Sequence, residues 1–457
     1  MEEREDSHVK SPSLIRRFLG SVARARGRRQ KLAADRKTRT ALALCEALVS
    51  GRGEASAAVL AREALDAFKA LEGPAISGFF DLLAENFSPD PEAIGRAAET
   101  YREEPSEVNL VRLQNAVEPP RRELFRRLNM APGGTAALVD MRRRLLLELA
   151  SKPAWAGIEA DLYHLLSSWF NRGFLVLERI DWRTSALVLE KLIAYEAVHE
   201  IQGWRDLRRR LEADRRCFAF FHPALPEEPI IFIEVALTQG LSQRVQPLID
   251  ADSPLADPAR ADCAIFYSIT NCQDGLRGIS FGNFLIKQVA EDLGREFPRI
   301  KTFATLSPLP GFSAWLAAAK KEIAETPEGE SLAKQLELLE EPGWHEQPGA
   351  AAKLAKPLTY LGAWYLLWAK RAREPLDPVA RFHLGNGASI ERINWLADTS
   401  ASGMARSGGM MVNYLYRLED VERNHEAYVN HGEVVASARL RALARECALA
   451  SKRKGAP

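Results

Sequence analysis

From about Thr38 to Lys191 apolar residues recur at helical spacing nearly throughout, as in AALVDMRRRLLLELA at 136–150 and EADLYHLLSSWFNRGFLVLERI at 159–180. Gly73-Pro74, Pro89 to Pro91, Pro119-Pro120 and Pro132-Gly133-Gly134 cut this pattern into pieces of ordinary helix length, which predicts an all-α domain. Arg142-Arg143-Arg144 and Arg208-Arg209-Arg210 abut leucines and read as polar faces of amphipathic helices. Near Ala186 the texture changes: residues 186–213 read as a bridging helical pair, and Arg216 to Phe221 opens a β-rich stretch. Ile230 to Leu237, IIFIEVAL, is a continuous apolar run behind a proline turn, the pattern of a fully buried strand. Cys263 to Ile269 and Arg299 to Leu306 complete a central sheet. Between them Gly275, Gly278 and Gly282 lead into a helix with Phe284, Leu285, Val289 and Leu293 on one face, stopped by Pro298. Residues 320–373 read as an insertion of two or three helices. On a late strand Tyr414 and Tyr416 share one face while Asn413 takes the other.

A chain of 457 residues, 46% hydrophobic and 27% charged, has room for two or three domains with a substantial core. A net charge of +1 argues against a global nucleic-acid or membrane-surface role. The longest apolar run, Leu358 to Ala369, is too short to span a bilayer. The 5 cysteines form no CxxC pair, which fits a reducing compartment and predicts a cytoplasmic protein. Residues 1–37 open with acids, continue in a basic run from Arg16 to Arg29, and read as a flexible segment without a secretory signal.

The candidate chemistry sits around the glycine turn and two later positions. The turn has neither the Lys-Ser/Thr of a Walker loop nor the spacing of a dinucleotide fingerprint. A glycine turn at a helix start still offers backbone N–H groups and the positive end of a helix dipole to a pyrophosphate. Ser307 falls where a strand ends, the place at which ligands gather on open sheets, although serine before proline also reads as a plain turn residue. No GxSxG elbow surrounds it, which excludes the usual hydrolase nucleophile. His383, beside Gly385 and Gly387, reads as a loop imidazole suited to deliver a proton near neutral pH, or as a surface loop histidine. No histidine pair has metal-ligand spacing.

Residues 263–312, RFHLGNGASIERINWLAD at 381–398 and GGMMVNYLYRLED at 408–420 resemble malonyl-CoA decarboxylase, and the likeness continues more faintly into the helical part. The resemblance implies an α+β protein: a helical oligomerisation domain at 38–190, assembling homo-dimers or homo-tetramers, then a GNAT-type mixed α/β acyl-CoA-binding catalytic domain at 191–457. It implies conversion of malonyl-CoA to acetyl-CoA and CO₂ without metal or organic cofactor. LSPLPGF puts Ser307 at the family's serine, FHLGNGA puts His383 at its proton-donating histidine, and Tyr416 matches a position lining the acyl pocket. Substrate contacts are expected from Ser268 and from Arg277, Gly278, Ile279, Ser280, Phe281, Gly282 and Asn283, whose backbone N–H groups would take the CoA pyrophosphate. The polar loop from Gln239 to Ala256 is expected beside that site. Ser280 stands where some relatives carry an acidic residue. A GNAT-type acyltransferase or a non-catalytic CoA-sensing protein would share the turn but not the pairing of Ser307 with His383.

Overall fold

The computed structural model describes residues 14–50, 54–279, 281, 285–326 and 329–450, with side chains from residue 31 onward except 54 and 55. The chain divides into two compact units: the residues up to Phe170 together with Gln273–Ile279, and Asn171–Cys272 together with the residues from Ser280 on.

The first unit is helical, as its periodicity requires. Its first helix, α1 (Leu14–Ser50), runs through position 37, so the flexible segment expected over 1–37 is helical from Leu14 on, and residues 1–13 lie outside the described residues. The basic stretch is made largely of good helix formers and carries no breaker strong enough to stop it, and Ala41, Leu42, Cys45 and Leu48 anchor its far end in the core. That core includes Phe68, Phe79, Phe80, Phe125, Leu138, Trp155 and Leu162. Helices α2 (Gly134–Glu148) and α3 (Ala156–Trp169) carry one departure from the amphipathic reading. Arg142 is buried: its Nη2 pairs with Glu159 at 2.7 Å and its Nη1 donates to the Gly275 carbonyl at 2.7 Å. A Cβ on Gly275 would stand 2.0 Å from the Val139 carbonyl oxygen, so only glycine allows this close approach to α2.

The second unit is built on an 8-stranded sheet. Its strands are β1 (Val176–Ile180), β2 (Arg215–His222), β3 (Leu225–Thr238), β4 (Cys263–Asn271), β5 (Thr302–Thr305), β6 (Ser307–Pro308), β7 (Ser389–Asn394) and β8 (Met411–Tyr416). They lie in the order β1-β2-β3-β4-β5-β8-β6, with β7 on β8. Neighbours are antiparallel except β4 and β5, which pair in parallel from Cys263↔Thr302 to Phe266↔Thr305, with α4 (Leu285–Glu296) between them in sequence. This is the α+β architecture expected. Strand β1 lies in the stretch read as helix to Ile180 and pairs with β2, so the sheet unit begins near 171 rather than 191. Two arginines of the second triplet are also buried, Arg209 against Asp214 at 2.7 Å and Arg210 against Glu234 at 2.8 Å. Because β3 runs antiparallel to β4, the loop after Thr238 starts at the Cys263 end of β4. Among the described residues no helix is long and apolar enough to cross a membrane.

Candidate active site

The site forms where the sheet ladder is interrupted. Beside β8, the register is the same at Ala304↔Leu415 and at Ser307↔Val412, yet residues 305 and 306 between them are not laddered. Side chains fill the gap. Thr305 Oγ1 accepts the Tyr414 N–H at 3.2 Å, Asn413 Nδ2 donates to the Thr305 carbonyl at 2.7 Å, and the Leu306 N–H donates to Phe266 on β4 at 3.0 Å. Ser307 emerges beyond this gap, at the carboxyl end of β5. Its hydroxyl donates to Thr305 Oγ1 at 2.9 Å, and its Oγ lies 2.9 Å from His383 Nε2. The other imidazole nitrogen, Nδ1, lies 2.8 Å from the Tyr416 hydroxyl. Tyr414 stacks on the imidazole with centroids 4.4 Å apart. Tyr414 and Tyr416 thus share a face, as the strand period requires.

His383 belongs to a helix rather than a loop: α5 spans Pro378–Gly385. Asp377 caps it by accepting the Ala380 N–H at 2.9 Å, Pro378 occupies the first turn, and the Tyr365 hydroxyl donates to the same carboxyl group at 3.1 Å. The helix holds the imidazole away from water. Burial pushes the His383 pKa down to about 3, so the ring is neutral at physiological pH, unlike the imidazole expected to titrate near neutrality. Burial likewise raises the Tyr416 phenol well above its ordinary value and keeps it protonated.

A cavity of about 240 Å³ opens on this pair. Ser307 and His383 stand in its wall with Val198, Phe266, Tyr267, Ile269, Asn271, Pro308, Pro378, Val379 and Phe382, and this lining contains neither lysine nor arginine. Strand β4 carries an extra residue relative to β3, the pairing passing from Glu234↔Ser268 to Val235↔Phe266. The bulge lets Phe266 and Tyr267 both reach the cavity. Ser268, expected on the substrate, turns instead to Glu196, donating to its Oε2 at 2.7 Å. The same carboxylate accepts the N–H groups of Val198 and His199, each at 2.7 Å, and so shapes the turn that presents Val198 to the cavity. Tyr416, expected along the acyl pocket, is absent from the lining and meets His383 instead.

The glycine turn differs from its expected form. Arg277 and Ile279 spend their N–H groups inside it, on the carbonyls of Asp274 at 3.1 Å and Leu276 at 3.0 Å, so these two donors are not free for a pyrophosphate. Gly278 is exposed, with φ +83°. Phe281 is buried, whereas Ser280, Gly282 and Asn283 lie outside the described residues. Thr305, Glu196 and Asp377 were not singled out from sequence. The dipeptide Asp377-Pro378 is a readable helix start; a lone threonine and a lone glutamate carry no such signal. Among the described residues no group of three or more His, Cys, Asp or Glu side chains could hold a metal ion.

Fold and geometry together define an α+β protein with a buried, hydrogen-bonded cluster of uncharged serine, histidine and tyrosine side chains at the end of a parallel strand pair. Comparison with known proteins makes the class specific. The malonyl-CoA decarboxylase C-terminal domain matches residues 173–454 and the N-terminal domain of the same family matches residues 87–170. The mitochondrial malonyl-CoA decarboxylase of Anser anser anser is 39% identical over 350 residues, covering 71% of this chain and 69% of that protein. The protein of the same name from Rattus norvegicus is 38% identical over 357 residues, covering 73% and 72%. The crystal structure of malonyl-CoA decarboxylase from Rhodopseudomonas palustris superposes with a TM-score of 0.86 at 48% identity, covering 89% of this chain and 99% of that one. That from Agrobacterium vitis gives 0.82 at 48% identity, covering 88% and 98%. The chain belongs to the malonyl-CoA decarboxylase family. It is a carboxy-lyase, and its substrate is a CoA thioester.

Proposed function

We propose that the protein converts malonyl-CoA to acetyl-CoA and CO₂, with His383 as the proton donor. The observation that carries this reading is the 2.9 Å contact between Ser307 Oγ and His383 Nε2 in the wall of an uncharged cavity. In the reaction the bond between the α-carbon and the carboxylate breaks, CO₂ departs, and the electron pair passes into the thioester as an enolate. A new C–H bond then forms, so one proton is consumed overall. An enolate carbon is a stronger base than an imidazole nitrogen that has lost its proton. A neutral N–H is therefore acid enough, and the Tyr416 hydroxyl on the other nitrogen offsets the charge left on the ring. Water restores the proton. Ser307 acts either on the carboxylate that leaves, its hydroxyl turning from Thr305 to the substrate once that is bound, or as a proton acceptor beside the imidazole. With no cation in the described lining, nothing there stabilises the carboxylate over the dispersed charge of the enolate.

The glycine turn remains the proposed hold on the CoA pyrophosphate through Gly278 and the residues after it, with Arg277 adding charge. The helical unit is proposed to assemble homo-dimers or homo-tetramers, which light scattering on the full chain tests: a monomer would remove that part. All five cysteines are free thiols, which supports the reading of a cytoplasmic protein. The deciding experiment incubates purified protein with malonyl-CoA and follows acetyl-CoA and CO₂ together. Stoichiometric appearance of both is expected, and failure to form either would end the proposal.

A further inference from the structure

We propose that Thr305 is a positioning residue that fixes which nitrogen of His383 carries the proton, by holding the Ser307 hydroxyl so that Nε2–H is the donor on the cavity side. The inference rests on the reading of His383 as proton donor.

Thr305 has no exposed surface and sits in the interrupted ladder between β5 and β6. Its Oγ1 is anchored by the backbone N–H of Tyr414 at 3.2 Å, so the acceptor it offers to Ser307 at 2.9 Å is fixed by the sheet. Ser307 has a single hydroxyl hydrogen, and that hydrogen points to Thr305. Toward His383 Nε2, 2.9 Å away, Ser307 can therefore present only a lone pair, and Nε2 must supply the hydrogen. A neutral imidazole has one N–H, which leaves Nδ1 as an acceptor for the Tyr416 hydroxyl at 2.8 Å. The hydrogens then all point one way along the chain: Tyr416 to His383, His383 to Ser307, Ser307 to Thr305.

The opposite tautomer breaks this order at both ends. Ser307 would have to turn its hydrogen to Nε2 and abandon Thr305. Nδ1–H would have to donate to the Tyr416 oxygen, leaving a buried phenol hydrogen to find another acceptor. More important for the reaction, the acidic hydrogen would then lie on the nitrogen facing Tyr416 rather than on the one beside Ser307 in the cavity wall.

Thr305→Val keeps the shape of the side chain and removes the acceptor, whereas Thr305→Ser keeps it. Nitrogen NMR of histidine-labelled protein without ligand, with the His383 signals identified by their loss in His383→Asn, reads the tautomer directly. The proton is expected on Nε2 in the parent and in Thr305→Ser, and on Nδ1 or exchanging between the two in Thr305→Val. Turnover of malonyl-CoA by Thr305→Val should fall about 10- to 100-fold with KM little changed, as for a lost hydrogen bond in a buried network. Thr305→Ser should recover to within about threefold, a rescue that general destabilisation does not predict. Melting temperature and CoA titration accompany each rate. A proton on Nδ1 in the parent protein overturns the proposal without any variant being needed. So does a Thr305→Val protein with its Nε2 proton and parent turnover, or a Thr305→Ser protein as impaired as Thr305→Val. Should no form decarboxylate malonyl-CoA, the functional reading falls, and the nitrogen signals still decide the role of Thr305.

Discussion

Replacing Tyr416 by Phe removes one oxygen atom and separates two accounts of this residue. The ring should stay in place, since it is buried, packs edge-on to Phe266 at 6.5 Å, and keeps its contact with the imidazole. What is lost is the 2.8 Å hydrogen bond to His383 Nδ1, which strengthens as negative charge develops on the ring during proton transfer. Hydrogen bonds to charged groups contribute about 1.5–3 kcal/mol. At about 1.4 kcal/mol per factor of ten, kcat should drop roughly 10- to 150-fold. KM should barely move, because the hydroxyl does not line the cavity. If Tyr416 lined the acyl pocket, KM would rise while kcat held. Saturation kinetics on malonyl-CoA, with free-CoA affinity and melting temperature measured on the same protein, distinguish these outcomes. An unchanged kcat with a raised KM would falsify the relay.

Since burial holds His383 neutral down to about pH 3, kcat/KM should show no imidazole limb between about pH 5 and 8, and a limb near 6.5 that disappears in His383→Asn would contradict this. The same depressed pKa makes the unfolded chain take up this proton first, so its contribution to stability is complete above the unfolded pKa of about 6.5 and declines as pH falls toward 3. Denaturant melts should show His383→Asn losing less stability than the parent over that window, by up to about 1.4 kcal/mol per pH unit. His383→Asn and Ser307→Ala should each lower turnover, the former by about 10²–10⁴-fold, and the double variant should be hardly worse than the more damaged single one; rates that multiply would mean independent roles. Gly278→Val, which forces a branched side chain onto φ +83°, should weaken CoA binding more than Arg277→Ala, and equal, negligible losses in a CoA titration would remove the turn from the site.

The elements with strong periodicity were legible: the helical unit, the apolar runs of β2 to β5, and the strand placing Tyr414 and Tyr416 on one face. Ser307 and His383 are marked by the resemblance of LSPLPGF and FHLGNGA to the family's motifs, since a serine before proline and a glycine-flanked histidine alone also read as a turn residue and a surface loop residue; the structure brings the two into contact. The errors share a cause. The glycines after His383 read as a loop, whereas the helix-starting Asp377-Pro378 before it decides the local structure. Arg142, Arg209 and Arg210 read as polar helix faces because a charge cluster shows nothing of the partners Glu159, Asp214 and Glu234 that bury it. The contact of Ser268 with Glu196 is invisible in the sequence because the β4 bulge and the carboxylate, brought from far along the chain, are products of tertiary pairing. Thr305 could not be found at all: it is an ordinary strand threonine until the ladder beside it breaks.

That break also explains how the Ser307–His383 pair comes to be held by the sheet. A continuous ladder between β5 and β8 would spend the Tyr414 N–H on the Thr305 carbonyl and leave the hydroxyl of Thr305 without a backbone partner. Dropping two residues from the ladder while keeping register costs backbone hydrogen bonds. Asn413 and Thr305 side chains replace them, so little stability is lost and two polar side chains become fixed to the sheet. One of them, Thr305, then aims Ser307; Ser307 and Tyr416 bracket the imidazole; and Tyr414 from the same strand closes its face. Precision at the imidazole is thus inherited from strand register, which moves in whole residues or not at all. The serine, histidine and tyrosines of this network and the described lining of the cavity are uncharged, so the network avoids the desolvation penalty of buried ions.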